Sequence, residues 1–267
     1  MITGYSNIIS VTTLPAPLLL DLYPSAAAAY SLRKLRTDYA GSAIRVRRSS
    51  DNTEQDIGFY GNILDTSSLS SFCSGTDGFV TTWYDQSGNA RNATQTTAVL
   101  QPKIVSSGSV ILNNGKPAIN FGSFLEALGT SFALNRPYSI YSQFLQTSSS
   151  NSRMISSNSN NCLISATRAS ATVFTEGAVR SGSYASVNQN VIISLIESTS
   201  TSKFYYNNTD ITNGTGNNDW GTFNIGSSIN YAEASFGIMK ECIVYNIDKT
   251  SDNTAINNNI NSYYGIY

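Results

Sequence analysis

From residue 79 onward the chain is a succession of short runs rich in β-branched and aromatic residues, broken at near-regular intervals by Gly, Asn and Ser. The runs are FVTTWYDQ, KIVSSGSVILNNGKPAINF, YSIYSQFLQ, NCLISATR, ATVFT, NVIISLIES, SKFYYNN, GTFNIGS and IMKECIVYN. Strands of this length at this spacing bury their apolar alternate positions only by stacking sheet on sheet, so the pattern predicts an all-β jelly-roll sandwich. Upstream, AIRVRRSSD alternates Ile44 and Val46 with Arg45 and Arg47, which is a strand with one buried face ending in a polar turn. Asn114-Gly115, between apolar runs, predicts a two-residue hairpin with Pro117 just past it.

Two segments break the rhythm. SAAAAYSLRKLRT (25–37) has a capping Ser25, four alanines and an apolar set of Tyr30, Leu32 and Leu35, and predicts a short N-terminal helix. At the other end Ile256, Ile260, Tyr263 and Tyr264 recur at helical spacing after Thr250 or Asp252 as cap, which predicts a C-terminal helix. Its many asparagines are poor helix formers, so burial of Ile256 and Ile260 has to hold it in place. Residues 1–24 read as an extended arm, interrupted by Pro15 and Pro17, and 25–267 as one jelly-roll domain. The arm's Leu18, Leu19, Leu20 and Leu22 need cover, from the chain's own sheet or from a neighbouring subunit.

Charge and residue chemistry narrow the function. Only 12% of residues are charged and the net charge is −1, so no global field draws the chain to nucleic acid or to an anionic membrane. The local basic cluster Arg33, Lys34, Arg36, Arg45, Arg47 and Arg48 is followed by Asp51, Glu54 and Asp56, which reads as ion pairs on adjacent strands. The start of the chain lacks a basic leader and an unbroken apolar run, which predicts neither a signal peptide nor membrane insertion. Three widely spaced cysteines, Cys73, Cys162 and Cys242, argue against a disulfide framework or a zinc site. Histidine is absent, so any acid–base catalysis falls to carboxylates.

Sugar recognition needs an aromatic platform surrounded by amides and carboxylates. Trp220 with Asp219 and Asn218, and Tyr205-Tyr206 with Asn207 and Asn208, are the candidates. Asp85, in Tyr84-Asp85-Gln86-Ser87-Gly88-Asn89, has oxygen neighbours suited to a sugar hydroxyl or to Ca²⁺. The competing reading is an Asx-turn at a strand end, with Asp85 accepting backbone N–H bonds. No other cofactor is expected.

Ala26 to Ala29, Arg45 to Asp51, Asp56-Ile57, Phe72-Cys73 and the Tyr84–Asn89 block together resemble the amino-terminal half of the catalytic domain of family 54 α-L-arabinofuranosidases. The same blocks, with CIVYNIDKTSDNTAINNNINSYYGIY, also look like the laminin-G or concanavalin-A-like modules of bacteriophage structural proteins, a likeness extending over nearly the whole chain. The first resemblance implies a cysteine partner for Cys73 where this chain has Gly78. It also implies an acid/base after a strand end matching Ile225-Gly226-Ser227, where Ser228 follows, and a nucleophile strand near Cys162–Thr167, which holds no acid. Glu176, Glu233 and Glu241 are the conceivable replacements.

These departures lead the sequence reading toward a non-catalytic structural protein of a tailed-phage virion, a capsid decoration or a tail-fibre appendage. Such a protein is made in the host cytoplasm, forms a homo-oligomer, contacts other virion proteins and touches cell-surface glycans. The alternatives are a glycoside hydrolase of the α-L-arabinofuranosidase type and a free carbohydrate-binding lectin.

Overall fold

A computed structural model describes residues 16–122, 125–148, 153–157, 163–164, 174–175, 178–179, 187–198, 201–213, 219–227 and 236–267. The principal strands are β1 (Ala28–Ser31), β2 (Ile44–Arg48), β3 (Glu54–Ile57), β4 (Gly78–Trp83), β5 (Lys103–Ser106), β6 (Ile119–Phe121) and β7 (Ala127–Leu134). They continue with β8 (Tyr138–Gln146), β9 (Ile155–Ser157), β10 (Leu163–Ile164), β11 (Asn190–Glu197), β12 (Ser202–Tyr206), β13 (Gly221–Gly226) and β14 (Gly237–Tyr245). The helices are α1 (Leu19–Leu22), α2 (Thr66–Phe72) and α3 (Asn253–Tyr264).

Among the described residues all the strand pairings are antiparallel. One sheet runs β1–β14–β8–β11–β12. The other runs β3–β2–β4, crosses through Ala93–Thr94 to β7, and continues β13–β9–β10. Strands β5 and β6 stitch the two together at one margin, since β5 pairs with both β4 and β6, and β6 with β14. The alternation read from the sequence fixes which residues meet between the sheets. Along β8, Tyr138, Ile140 and Phe144 enter the inter-sheet core, where Trp83, Phe223, Ile225 and Val244 also lie. Tyr141 points the other way, into a second apolar layer with Ile192, Ile243 and Tyr245.

That second layer is covered by helices, as an apolar sheet face requires. Ile256, Ile260 and Tyr264 of α3 and Leu19 and Leu20 of α1 pack on it. The C-terminal helix thus forms where its apolar spacing predicts. Its asparagines contribute too: buried Asn257 donates to the Asn253 carbonyl at 2.9 Å and accepts from Ser194 Oγ at 2.9 Å. Asp252 occupies the cap position without a capping bond, because its carboxylate is taken by Lys249 at 2.9 Å.

The helix expected over 25–37 is corrected to a strand. Ala28–Ser31 pairs with Val244–Glu241, and all four residues are buried. Small alanines let this strand sit between the core and the α1–α3 layer, and that burial overrides their helical propensity. The short N-terminal helix lies earlier, at α1. Its Leu19 and Leu20 are buried against the chain's own sheet, Leu18 is half-buried, and Leu22 is 47% exposed. Leu19 and Leu20 are therefore not presented to a neighbouring subunit.

Candidate functional site

Asp85 is buried, and its carboxylate is surrounded by donors from its own fold. It accepts from Ala29 N at 2.8 Å, Ser87 N at 2.8 Å, Ser87 Oγ at 2.7 Å and Arg91 N at 3.0 Å. The next residue, Gln86, accepts from Leu35 N and donates to the carbonyls of Ser31 and Arg33. The YDQSG block is therefore the clasp that ties β1 and the following segment to the end of β4. The Asx-turn reading accounts for it, and Asp85 has no open side for Ca²⁺ or sugar. Among the described residues no group of three or more acidic or cysteine side chains gathers to hold a metal.

Trp220 is fully buried, edge-on to Tyr138, and its indole N–H donates to the Ser156 carbonyl at 3.2 Å. Its ring is a core anchor and offers no sugar platform. The polar tract around it in sequence gave no hint of this, because the partners lie on β8 and β9. Asp219 accepts from Arg136 N at 2.9 Å, and Asn218 lies outside the described residues. Tyr205 and Tyr206, in contrast, are half-buried at the end of β12. Tyr206 lines an open hollow of about 390 Å³ with Asn114, Gln189, Asn190, Asn207 and Ile266.

Of the three glutamates considered for catalysis, Glu241 is excluded by its surroundings. It is buried on β14 and bridged by Arg33, with Nε to Oε2 at 2.7 Å and Nη2 to Oε1 at 2.9 Å, while Ser31 Oγ donates to Oε2 at 2.7 Å. Tyr264 of α3 closes the group at 3.2 Å. A carboxylate held on both oxygens inside the fold is structural. Of the 17 acids in the chain, Glu176 and Glu233 are the two outside the described residues.

The backbone nonetheless fixes where the chain carrying those two glutamates leaves the sheet. Ile155 of β9 pairs with Ile164 of β10 on one side and with Ile225 of β13 on the other. Met154 N donates to the Ile164 carbonyl and Gly226 N to the Met154 carbonyl, both at 2.9 Å. The segments that follow Ile164 and Gly226 therefore depart from the same end of the same sheet, one leading to Glu176 and the other to Glu233. A third carboxylate stands at that end. Ser227 N donates to the Glu126 carbonyl at 3.0 Å, and Glu126 lines a cleft of about 510 Å³ with Lys103, Asn120 and Gly122. Gly226, at φ +92°, has to be glycine: a Cβ there would fall 2.6 Å from the Glu126 carbonyl oxygen.

The basic cluster resolves into ion pairs. Arg45 meets Asp56 across β2–β3 at 2.8 Å, and Arg48 meets Asp51 at 2.6 Å. Cys73 and Cys242 are buried free thiols, and Cys162 lies outside the described residues. A Cβ built on Gly78 would sit 2.7 Å from Cys73 Sγ, so the two positions are neighbours, as the arabinofuranosidase resemblance implied.

Comparison with known proteins agrees with that resemblance. Residues 21–117 match the family described as alpha-L-arabinofuranosidase B, catalytic. The chain is 34% identical over 96 residues to a probable alpha-L-arabinofuranosidase B of Aspergillus flavus, a match covering 33% of this chain and 19% of that protein. It is 36% identical over 74 residues to alpha-L-arabinofuranosidase B of Aspergillus kawachii, covering 27% and 15%. Among solved structures, an arabinofuranosidase complexed with arabinofuranosyl-alpha-1,2-xylobiose superposes with a TM-score of 0.67 at 16% identity, covering 88% of this chain and 62% of that one. A GH54 α-L-arabinofuranosidase soaked with a cyclic sulfate inhibitor gives a TM-score of 0.60 at 16% identity, with the same coverages. The chain thus spans less than two thirds of each. These likenesses are to arabinofuranosidases, and they overturn the expectation of a non-catalytic phage virion protein, together with the virion location that went with it.

Proposed function

We propose that this chain is a glycoside hydrolase domain acting on α-L-arabinofuranosides. The observation that carries the reading is the match of residues 21–117 to an arabinofuranosidase catalytic family, supported by a fold likeness reaching over most of the chain. Glycosidic cleavage takes two carboxyl groups on either side of the scissile bond. One protonates the departing oxygen, and the other attacks the anomeric carbon or activates water. With no histidine in the chain, both tasks fall to acids. Glu241 and Asp85 are locked into structural bonds, and we take Glu176 and Glu233 as the pair. The segments leading to them depart from one end of the sheet, where the cleft beside Glu126 opens.

The test is release of 4-nitrophenol from 4-nitrophenyl α-L-arabinofuranoside by the purified chain and by its E176Q and E233Q variants. E54Q, on the exposed edge strand β3, is the control expected to keep full activity.

A further inference from the structure

We propose that the hollow beside the C-terminal tail is a subsite for the carboxylate of an acidic saccharide, separate from the cleft assigned to hydrolysis. This inference concerns binding alone and stands whether or not the chain cleaves arabinofuranosides.

Two features of the hollow point there. The first is its lining. Asn114 at the tip of the hairpin turn, Gln189 and Asn190 at the start of β11, and Tyr206 and Asn207 at the end of β12 surround about 390 Å³, the size of a pocket for one small ligand. Asn207 is fixed by reciprocal 2.9 Å bonds with the backbone of Ile192, its N–H donating to the carbonyl and its Oδ1 accepting the amide. That leaves its Nδ2 donors for a ligand. Amides and a half-buried phenol are what a hydroxyl-bearing ring requires, whereas an arginine fork or a glycine-rich nest for phosphate is not among these lining residues.

The second feature is unbalanced positive charge behind the wall. Lys240 lies where β14 bulges: Gln143 faces Glu241 and Phe144 faces Met239, so Lys240 has no partner across the ladder. Its ammonium is buried, 2.7 Å from Asn113 Oδ1 and 3.4 Å from both the Asn113 carbonyl and Asn190 Oδ1. Asn190 thus bridges the ammonium and the hollow. Three cations converge on the two tyrosines that end α3. Lys240 stands 5.1 Å from the Tyr264 ring, and Lys116 and Arg33 stand 4.1 and 4.8 Å from the Tyr263 ring. Arg33 is matched by Glu241, while Lys240 and Lys116 have no acidic partner among the described residues. Burial and the neighbouring Lys116 hold the Lys240 ammonium down to about 8. A buried cation kept beside a second cation, next to an open polar hollow, is the arrangement that a bound anion stabilises.

The measurement is calorimetric titration of the full chain with trigalacturonate and with a neutral xylo-oligosaccharide of equal length, at pH 6.5 and pH 9.5. The acidic ligand is expected to bind at least about tenfold tighter at pH 6.5, the scale of one charge-assisted contact. At pH 9.5 that preference is expected to fall as Lys240 loses its proton. Tyr263 and Tyr264 are held above their ordinary range by burial and stay neutral there, and Arg33 stays charged beside Glu241. K240M is expected to abolish the preference. Because that variant changes a buried residue, two surface changes accompany it: K116Q, which removes the second cation, and N114D, which places a negative charge at the turn tip. Both are expected to weaken trigalacturonate binding while leaving the melting temperature unchanged. Equal binding of the two oligosaccharides, a preference that survives N114D and K116Q, or inorganic phosphate binding as tightly as the trisaccharide would overturn the proposal.

Discussion

Replacing Glu241 with glutamine separates a structural carboxylate from a catalytic one. In the native fold this side chain accepts from Arg33 through both oxygens and from Ser31 and Tyr264, all inside the protein. Glutamine keeps the shape but removes the charge, which leaves the Arg33 guanidinium buried without a counterion and forces one amide N–H₂ against donors. Breaking one side of a buried pair costs about 3–5 kcal/mol. For a domain of this size each kcal/mol shifts the melting temperature by about 2–4 °C, so E241Q is expected to melt roughly 6–20 °C below the parent. Tyr264 reaches Glu241 from α3, so the near-ultraviolet circular dichroism of the docked tyrosines is expected to weaken as well. The double variant R33M/E241M removes both charges and is expected to recover most of the loss, because no ion is left stranded. A variant E241Q that melts within about 2 °C of the parent and yet loses arabinofuranosidase activity would refute this reasoning and return Glu241 to the catalytic pair.

Other expectations follow from single environments. D85A strands the N–H groups of Ala29 and Arg91 and is expected to cost about 2–5 kcal/mol in urea unfolding, while millimolar Ca²⁺ leaves the parent's melting temperature unmoved; a calcium-dependent rise would restore the metal reading. W220A is expected to lose about 3–5 kcal/mol of stability, since the ring is wholly in the core, with no selective loss of sugar affinity once refolded samples are compared. G78C is expected to give a disulfide with Cys73, seen as a melting temperature that drops on adding reductant; the tight approach to Val105 and Val46 should make G78A destabilising by about 1–3 kcal/mol. Burial and Lys116 hold the Lys240 pKa down to about 8 in the fold against about 10.4 in an unfolded chain, so for this group the unfolded chain binds more protons between those values and its contribution to stability rises with pH there. Cys242 and the buried Tyr245 and Tyr264, pushed up by burial, work in the opposite direction, so the expected outcome is a difference: from pH 8 to 9.5 the parent's urea midpoint gains relative to that of K240M.

The sandwich was legible because its signals are local. Alternation in Ile44–Arg48, the Asn114-Gly115 turn and the spacing of Ile256, Ile260 and Tyr264 each act over a few residues, and the strands and helix formed where they said. Long-range pairing defeated the same logic elsewhere. Ala26–Ala29 look helical until β14 is placed beside them, and Trp220 looks exposed until Tyr138 and Ser156 arrive from distant strands. Arg33 and Glu241 meet across 208 positions, so no spacing rule links them. The hollow beside Lys240 is likewise assembled from a hairpin tip, two strand ends and the tail, and only Tyr206 and its asparagines stood out beforehand. On function, the expectation of a non-catalytic chain leaned on acids missing from two strands. Glycosidases draw carboxylates from loops as well as strands, and loop positions are where pattern reading has least grip.

The direct test of the hydrolase reading is the initial rate of 4-nitrophenol release from 4-nitrophenyl α-L-arabinofuranoside by the parent, E176Q and E233Q, each first shown to be folded by its melting curve. Measurable turnover by the parent and losses of about 10²–10⁴-fold in both variants are expected, the range for a positioned catalytic acid or base. A folded parent without turnover, or full activity retained in both variants, contradicts that expectation.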